Sequence, residues 1–373
     1  MSGTRIRMLA FSPVPREGAG CRFRISQYVP ALEAGGFEVT IAPFFDAEFF
    51  EVVYQPGRYA LKAAGFLRRA LERIRTLATS GAYDLFFVYR EAFPFGPPVI
   101  ETLLRAFGGR PMVYDFDDAI FLSNTSEANR FTASLKYPRK VPSILSKSDL
   151  VIAGNQFLAD YARRYNPAVT VIPTCIDTDV FHGRVAPRPA AQPPVVGWIG
   201  TPTTAPYVKT IAGALAAVAA ARRYVFRVSG AGRPLELEGV TVVNEPWTLE
   251  REVELFATCD VGVYPLTNDE WALGKCGFKA IQFMACGVPV VASPVGVNAD
   301  IIVDGVNGYL AATEREWIEK IGRLLAEPDL RARLGTAARR TIESRYALAA
   351  NAPKMVETLE RVVGRRAAER RMA

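Results

Sequence analysis

The stretch GKCGFKAIQFMACGVPVVASPVG, Gly274–Gly296, decides the fold. It follows the apolar run DVGVYPL (260–266) and a short polar connection. From Phe278 it reads as a helix ending near Ala285–Gly287, and VPVVAS (288–293) is then a second apolar run. Two strand-length apolar runs joined by a helix form a βαβ unit, whose strands lie parallel. Strands that are apolar throughout belong in a sheet covered by helices on both faces.

The same alternation extends outward. Upstream of the stretch lie VVGWIG (195–200), YVFRVSG (224–230) and VTVVNEPW (240–247); from about Thr313 onward the chain reads as helical. The first half repeats the pattern with IRMLAF (6–11), FEVTIAPF (37–44), DLFFVYR (84–90), MVYDF (112–116), DLVIAG (149–154) and VTVIPT (169–174). RFRISQYVPALEAGG carries Ile25, Tyr28, Val29 and Leu32 at helical spacing, with Pro30 interrupting the pattern. Between the halves, RVAPRPAAQPP (184–194) holds four prolines and reads as a stiff linker. The expected fold class is α/β: two doubly wound, Rossmann-like domains facing each other across a cleft, with C-terminal helices. The expected boundaries are 1–183, a linker at 184–194, 195–345, and a helical tail at 346–373 packing back on the first domain.

A length of 373 residues, half of them hydrophobic, suits two such cores. The net charge of +7 is split between LKAAGFLRRALERIR (61–75) and RVVGRRAAERR (361–371). Two readings stand for these helices: a solvated face, or a surface for anionic lipid or nucleic acid. No nucleic-acid module accompanies them, and nucleic acid is not expected as a partner. The five cysteines are scattered without CxxC spacing and read as reduced packing residues. One histidine, His182, excludes any mechanism that needs several. No apolar run is long enough for a signal peptide or a membrane span. The expected location is therefore cytoplasmic, at most peripheral at the inner face of a membrane.

Ligands of doubly wound sheets sit beyond the carboxyl ends of the strands. Three loops of the second half fit that position: GTPTTAPY (Gly200–Tyr207), SGAG (Ser229–Gly232), and the opening stretch around Gly277. Glycines let backbone amides approach an anion at a helix start, and Lys275 and Lys279 add positive charge. Together the loops point to a diphosphate-bearing ligand.

GKCGFKAIQFMACGVPVVASPVGVNADIIVDGVNGYLA (Gly274–Ala311) resembles the donor-site signature of glycosyltransferase family 4, retaining enzymes of GT-B fold. VVGWIGTPTTAPY, EPWTLEREVELFATCDVGVYPL, NQFLADYARRYNPAVTVIPTCIDTDVF, VYREAFPFG and VYDFDDAIF resemble a sub-branch of it. The resemblance implies a nucleotide-diphosphate-sugar donor on the second domain, an acceptor mainly on the first, and no required cofactor or metal. The implied donor-binding residues are Gly200, Thr201, Thr203, Thr204, Gly230, Gly232, Trp247, Gly274, Cys276, Gly277, Phe278 and Gln282. The family's usual pair of glutamates is replaced here by Gly274 and Gln282, and its usual arginine by Thr201. Gln282 can still bond ribose hydroxyls; Gly274 cannot replace a carboxylate.

In the first half, YDFDDAIF places Asp115, Asp117 and Asp118 just after a strand. One reading is a metal-binding DxD, disfavoured because it lies in the wrong domain for the donor; another is acceptor binding or proton movement; a third is capping or pairing with arginine. Arg90 and Glu91, from VYREAFPFG, and Arg22 and Arg24 are candidate acceptor-binding neighbours, together with Asp115. Arg90 paired with Asp117 as an internal bridge is an equal alternative. Lys275 and Lys279, with Asp117 and Asp118 should a base be needed, are the catalytic candidates. The expected activity is sugar transfer to an acceptor hydroxyl with retention, in glycan or glycoconjugate synthesis, with glycan, lipid-linked and small-molecule acceptors all open. The alternative is a non-catalytic or epimerase-like nucleotide-sugar-binding protein of the same fold.

Overall fold

The computed structural model describes residues 5–53, 57–122, 137–183 and 192–372. Most of the proline-rich linker, 184–191, lies outside the described residues. By its internal contacts the chain forms two units, Met1–Thr174 with Asn351–Ala373, and Cys175–Ala350. The division falls after Thr174, ahead of the expected boundary at 183, and the last helix belongs to the first unit.

The first unit holds β1 (Ile6–Ser12), β2 (Phe37–Pro43), β3 (Leu85–Tyr89), β4 (Met112–Phe116), β5 (Leu150–Ala153) and β6 (Val169–Val171). They form one parallel sheet of order β2-β1-β3-β4-β5-β6. Every residue of β3 and β4 is buried, as central strands covered on both faces require. The edge strands β2 and β6 alternate or open to solvent. Met355 and Leu359 of the C-terminal helix are buried, and with Met8, Tyr28, Leu32 and Phe87 they line one small cavity.

The second unit repeats the plan with β7 (Val195–Ile199), β8 (Val225–Ser229), β9 (Val242–Glu245), β10 (Val261–Tyr264), β11 (Val290–Ala292) and β12 (Tyr309–Leu310). Their order is β12-β11-β10-β7-β8-β9, again parallel. Each expected strand is present. The two-residue β12 was not expected, because so short a run carries no periodicity.

The helix expected around Pro30 is two pieces, Ala19–Arg24 and Val29–Ala34, joined by the 3-10 turn Ser26–Tyr28. Pro30 sits in the first turn of the second piece, where its missing N–H costs nothing. Thr313 caps the helix Glu314–Ala326 in a reciprocal capping box with Glu316. All five cysteines are buried free thiols.

Candidate functional site

Strand order locates the crevice of each unit. In the second unit the chain moves from β7 through β8 to β9 on one side, then returns to β10, β11 and β12 on the other. The loops leaving β7 and β10 therefore diverge, and open sheets of this kind bind ligands at that point. The loop after β7 holds Gly200–Thr204, and the connection after β10 leads through Gly274 to Gln282.

The glycine loops after β7 and β8 are in direct contact. Gly230 has φ +81°, and a Cβ there would lie 2.3 Å from the carbonyl oxygen of Gly200; one on Gly232 would lie 2.6 Å from the Pro202 ring. Only glycine at 230 lets the two backbones close. Thr204 Oγ1 accepts from Thr201 N–H at 2.9 Å, and the Thr201 and Thr203 hydroxyls lie 2.8 Å apart, so one turn holds all three threonines. Trp247 follows β9 at the sheet edge, two strands from β7, and is 38% exposed.

Gly277 caps the helix Phe278–Ala285 in the left-handed region, φ +65°, and a Cβ would meet Ile301 Cδ1 at 2.4 Å. Lys275 Nζ lies 5.3 Å from the Trp271 ring centroid, and Lys279 Nζ 5.2 Å from that of Phe256. Both lysines are half-buried; Gly274 and Cys276 are buried, and Phe278 is half-buried. Gln282 is fully buried. Its Oε1 accepts from Lys279 Nζ at 2.9 Å, and its Nε2 donates to Glu252 Oε1 at 3.1 Å. The amide expected to bond ribose hydroxyls thus makes one bond to a protein group at each end. A carboxylate here could accept from Lys279 but could not donate to Glu252, which gives the glutamine its physical reason. Glu252, itself buried in the first turn of Glu252–Ala257, was missed. It lies thirty positions from Gln282, and no spacing rule connects them.

In the first unit, two expected acceptor contacts turn out to be scaffold. Arg24 and Asp115 have side chains of 0% exposure and form a two-pronged ion pair, Arg24 Nε to Asp115 Oδ2 at 2.9 Å and Nη2 to Oδ1. Arg24 Nη1 also donates to the Ile172 carbonyl at 2.9 Å. The pair joins the helix after β1 to the end of β4 and to the chain beyond β6; with no exposed atoms, neither side chain offers an acceptor contact.

Arg90 pairs with Asp117, the bridge alternative. Its Nε donates to Asp117 Oδ1 at 2.8 Å, the Tyr89 hydroxyl donates to the same oxygen at 2.9 Å, and Asp118 Oδ2 lies 3.8 Å from Arg90 Nη2. Arg90 is a non-glycine residue at φ +57°, a conformation costing about 1–2 kcal/mol that persists where surrounding bonds enforce it. Burial alone would raise the Asp117 pKa, but Arg90 and then Arg24 outweigh it and hold the carboxyl below the usual range. Asp117 is thus a fixed anion and a weak base. Glu91 pairs with the buried Lys140 at 2.5 Å, and Lys140 also donates to the Phe93 carbonyl at 2.8 Å. Lys140 was missed, since a lysine opening a helix looks like any surface cation. Arg22 lies with its guanidinium 4.4 Å from the Phe23 ring centroid. Arg90, Glu91, Asp117 and Asp118 gather at the carboxyl ends of β3 and β4. Among the described residues, no group of His, Cys, Asp and Glu could hold a metal ion.

Residues 193–327 match the family described as Glycosyl transferases group 1. The chain is 27% identical over 226 residues to a D-inositol 3-phosphate glycosyltransferase of Xylanimonas cellulosilytica, covering 52% of this chain and 53% of that protein. It is 32% identical over 97 residues to spore coat protein SA of Bacillus subtilis, covering 25% and 24%. The chain spans about half the length, or less, of the curated relatives it matches. Among solved structures it resembles sucrose-phosphate synthase of Thermosynechococcus elongatus, with a TM-score of 0.70, 18% identity, and coverage of 96% and 100%. Anabaena HepE in complex with UDP and glucose gives 0.67, 17%, and 95% and 100%. The matched segment contains all three glycine-bearing loops of the second unit and the Lys279–Gln282–Glu252 chain. With its two parallel six-stranded sheets the chain has the GT-B fold of these solved structures, and its segment 193–327 matches the group 1 glycosyltransferases.

Proposed function

We propose that the protein transfers a sugar from a nucleotide-diphosphate-sugar to an acceptor hydroxyl with retention of anomeric configuration, in glycan or glycoconjugate synthesis. The observation that carries this reading is the helix start at Gly277. A helix begins there on the connection that leaves β10 at the switch point of the second sheet, with Lys275 and Lys279 on either side of Gly277 in sequence, a setting that suits a diphosphate. HepE, a likeness of fold only, was crystallised with UDP and with UDP-glucose.

The bond from the anomeric carbon to the diphosphate oxygen breaks as the acceptor oxygen bonds to the same face of the sugar. The acceptor's proton passes to the departing diphosphate. No side-chain base is needed, which suits a first unit whose Asp117 is a fixed anion. Lys275, Lys279 and the Gly277 amide hold the charge that develops on the leaving phosphate. Arg90, Glu91, Asp118 and Arg22 remain the acceptor-side candidates, with Asp117 fixing Arg90.

Thermal unfolding in the presence of UDP-, GDP-, ADP- and dTDP-sugars tests the donor. One nucleotide class is expected to stabilise the second unit by about 2.7 kcal/mol at a hundredfold excess over Kd. No stabilisation by any of the four overturns the reading. The anomer of the product, read by NMR, tests retention. Gly274, where no carboxylate can reach the sugar, favours a second reading as a binder without transfer. Stabilisation without turnover, against a panel of glycan, lipid-linked and small acceptors, would establish that one.

A further inference from the structure

The helix Tyr59–Ala78 packs Phe66 inward against Phe44 and Phe93, yet carries a second apolar stripe on its outward face. A surface helix ordinarily buries its apolar stripe and exposes its charges. Here Leu67, Leu71 and Ile74 are 62%, 50% and 58% exposed, and with Ala60, Ala64 and Ala78 they lie on one face at helical spacing. The opposite face turns cations inward. Arg73 is buried against the rings of Phe11 and Phe44 and donates to the Ala42 carbonyl at 3.0 Å; Arg69 pairs with Asp46 and Glu72. The neighbouring helix Ala47–Val53 packs so closely that a Cβ on Gly65 would lie 2.2 Å from the Phe49 ring. The inward side is therefore fixed, and the leucines are held outward by construction.

Charge identifies what covers this face. The helix carries five cations, Lys62, Arg68, Arg69, Arg73 and Arg75, against one acid, Glu72. Arg68 and Arg75 are exposed along one border of the apolar stripe, and Arg58 is exposed at its start. The further acids beside it are Asp46, which pairs with the inward Arg69, and Glu48 and Glu51 on the packed helix Ala47–Val53. An apolar face bordered by arginines, on a helix about 30 Å long, matches the interface of an anionic bilayer, where leucines enter the acyl boundary and cations meet the headgroups. A second copy of this chain would set these same arginines against each other. The other basic helix, Leu348–Met372, lacks the feature: among its described residues no large hydrophobic side chain is exposed. Nor is any described helix long and apolar enough to cross a membrane.

We propose that the outward face of Tyr59–Ala78 docks the protein on anionic lipid. This inference stands apart from the donor site and survives its failure. The test is flotation of the full chain with vesicles of phosphatidylcholine alone or with about one third phosphatidylglycerol. Wild type is expected to float with the anionic vesicles and to release as salt rises. Arg68→Gln/Arg75→Gln should weaken that binding about 25-fold, about fivefold per arginine, the equivalent of ~1 kcal/mol each. Leu67→Gln/Leu71→Gln/Ile74→Gln should abolish it. All five side chains are exposed, so the unfolding midpoint of each variant serves as the control. Failure to bind anionic vesicles overturns the proposal, as does binding that the triple variant leaves intact. A dimer in light scattering that the triple variant dissolves, without vesicle binding, assigns the face to self-association instead.

Discussion

Lys279→Ala is expected to lower kcat by about 10²–10³-fold, with the KM for the donor changed far less. That magnitude is typical for removing one preorganised charge-stabilising group from a leaving oxygen. The split between kcat and KM follows if the charge is felt mainly as the diphosphate departs. Lys279 is suited to this because its ammonium is steered, bonded to Gln282 and set over the face of Phe256. Gln282 is in turn held by Glu252. A cation positioned this way has lost its orientational freedom before substrate arrives, whereas a loose surface lysine would spend binding energy to find its place. Steady-state kinetics on the donor identified by the thermal screen provide the check. A kcat within threefold of wild type would remove Lys279 from the mechanism and leave its bond to Gln282 a packing device.

The second large effect is on stability. Asp115→Ala should cost the first unit about 3–5 kcal/mol, because it leaves the Arg24 guanidinium buried without its counter-ion. For a unit of this size that lowers the unfolding midpoint by about 10 °C. The companion variant Arg24→Met/Asp115→Leu should recover at least half of the loss, since it removes both charges from an interior that no longer has to solvate them. Recovery is incomplete because the Ile172 carbonyl loses its donor. Calorimetry on the single and double variants separates the outcomes. A single variant that melts within 2 °C of wild type would mean that the pair is solvated in a way its 0% exposure does not allow.

The sheets were legible because parallel, doubly covered strands write themselves as uninterrupted apolar runs; MVYDF became β4 residue for residue. β12 was not, since two residues carry no period. The donor loops were legible from glycine: Gly200, Gly230 and Gly277 mark places where backbone meets backbone or turns left-handed. Side-chain partnerships were less so. Asp115, Asp117 and Asp118 look alike in YDFDDAIF, but strand geometry turns Asp115 inward to Arg24 and leaves Asp117 to Arg90. The bond from Gln282 to Glu252 was not legible because Glu252 is remote in sequence. Helix Tyr59–Ala78 had an ambiguous charge pattern on paper. Only burial separated its inward arginines from its outward leucines.

The bond between Gln282 and Glu252 also constrains how this protein can change by descent. Because an amide can donate and a carboxylate cannot, a glutamate at 282 would bring two carboxyl groups together in a dry interior with Lys279 beside them to offset one charge. Along a lineage the two should switch as a pair, with Glu252 accompanying glutamine at 282 and a neutral residue accompanying glutamate, so that covariation between these two positions would trace where this branch departed from its relatives.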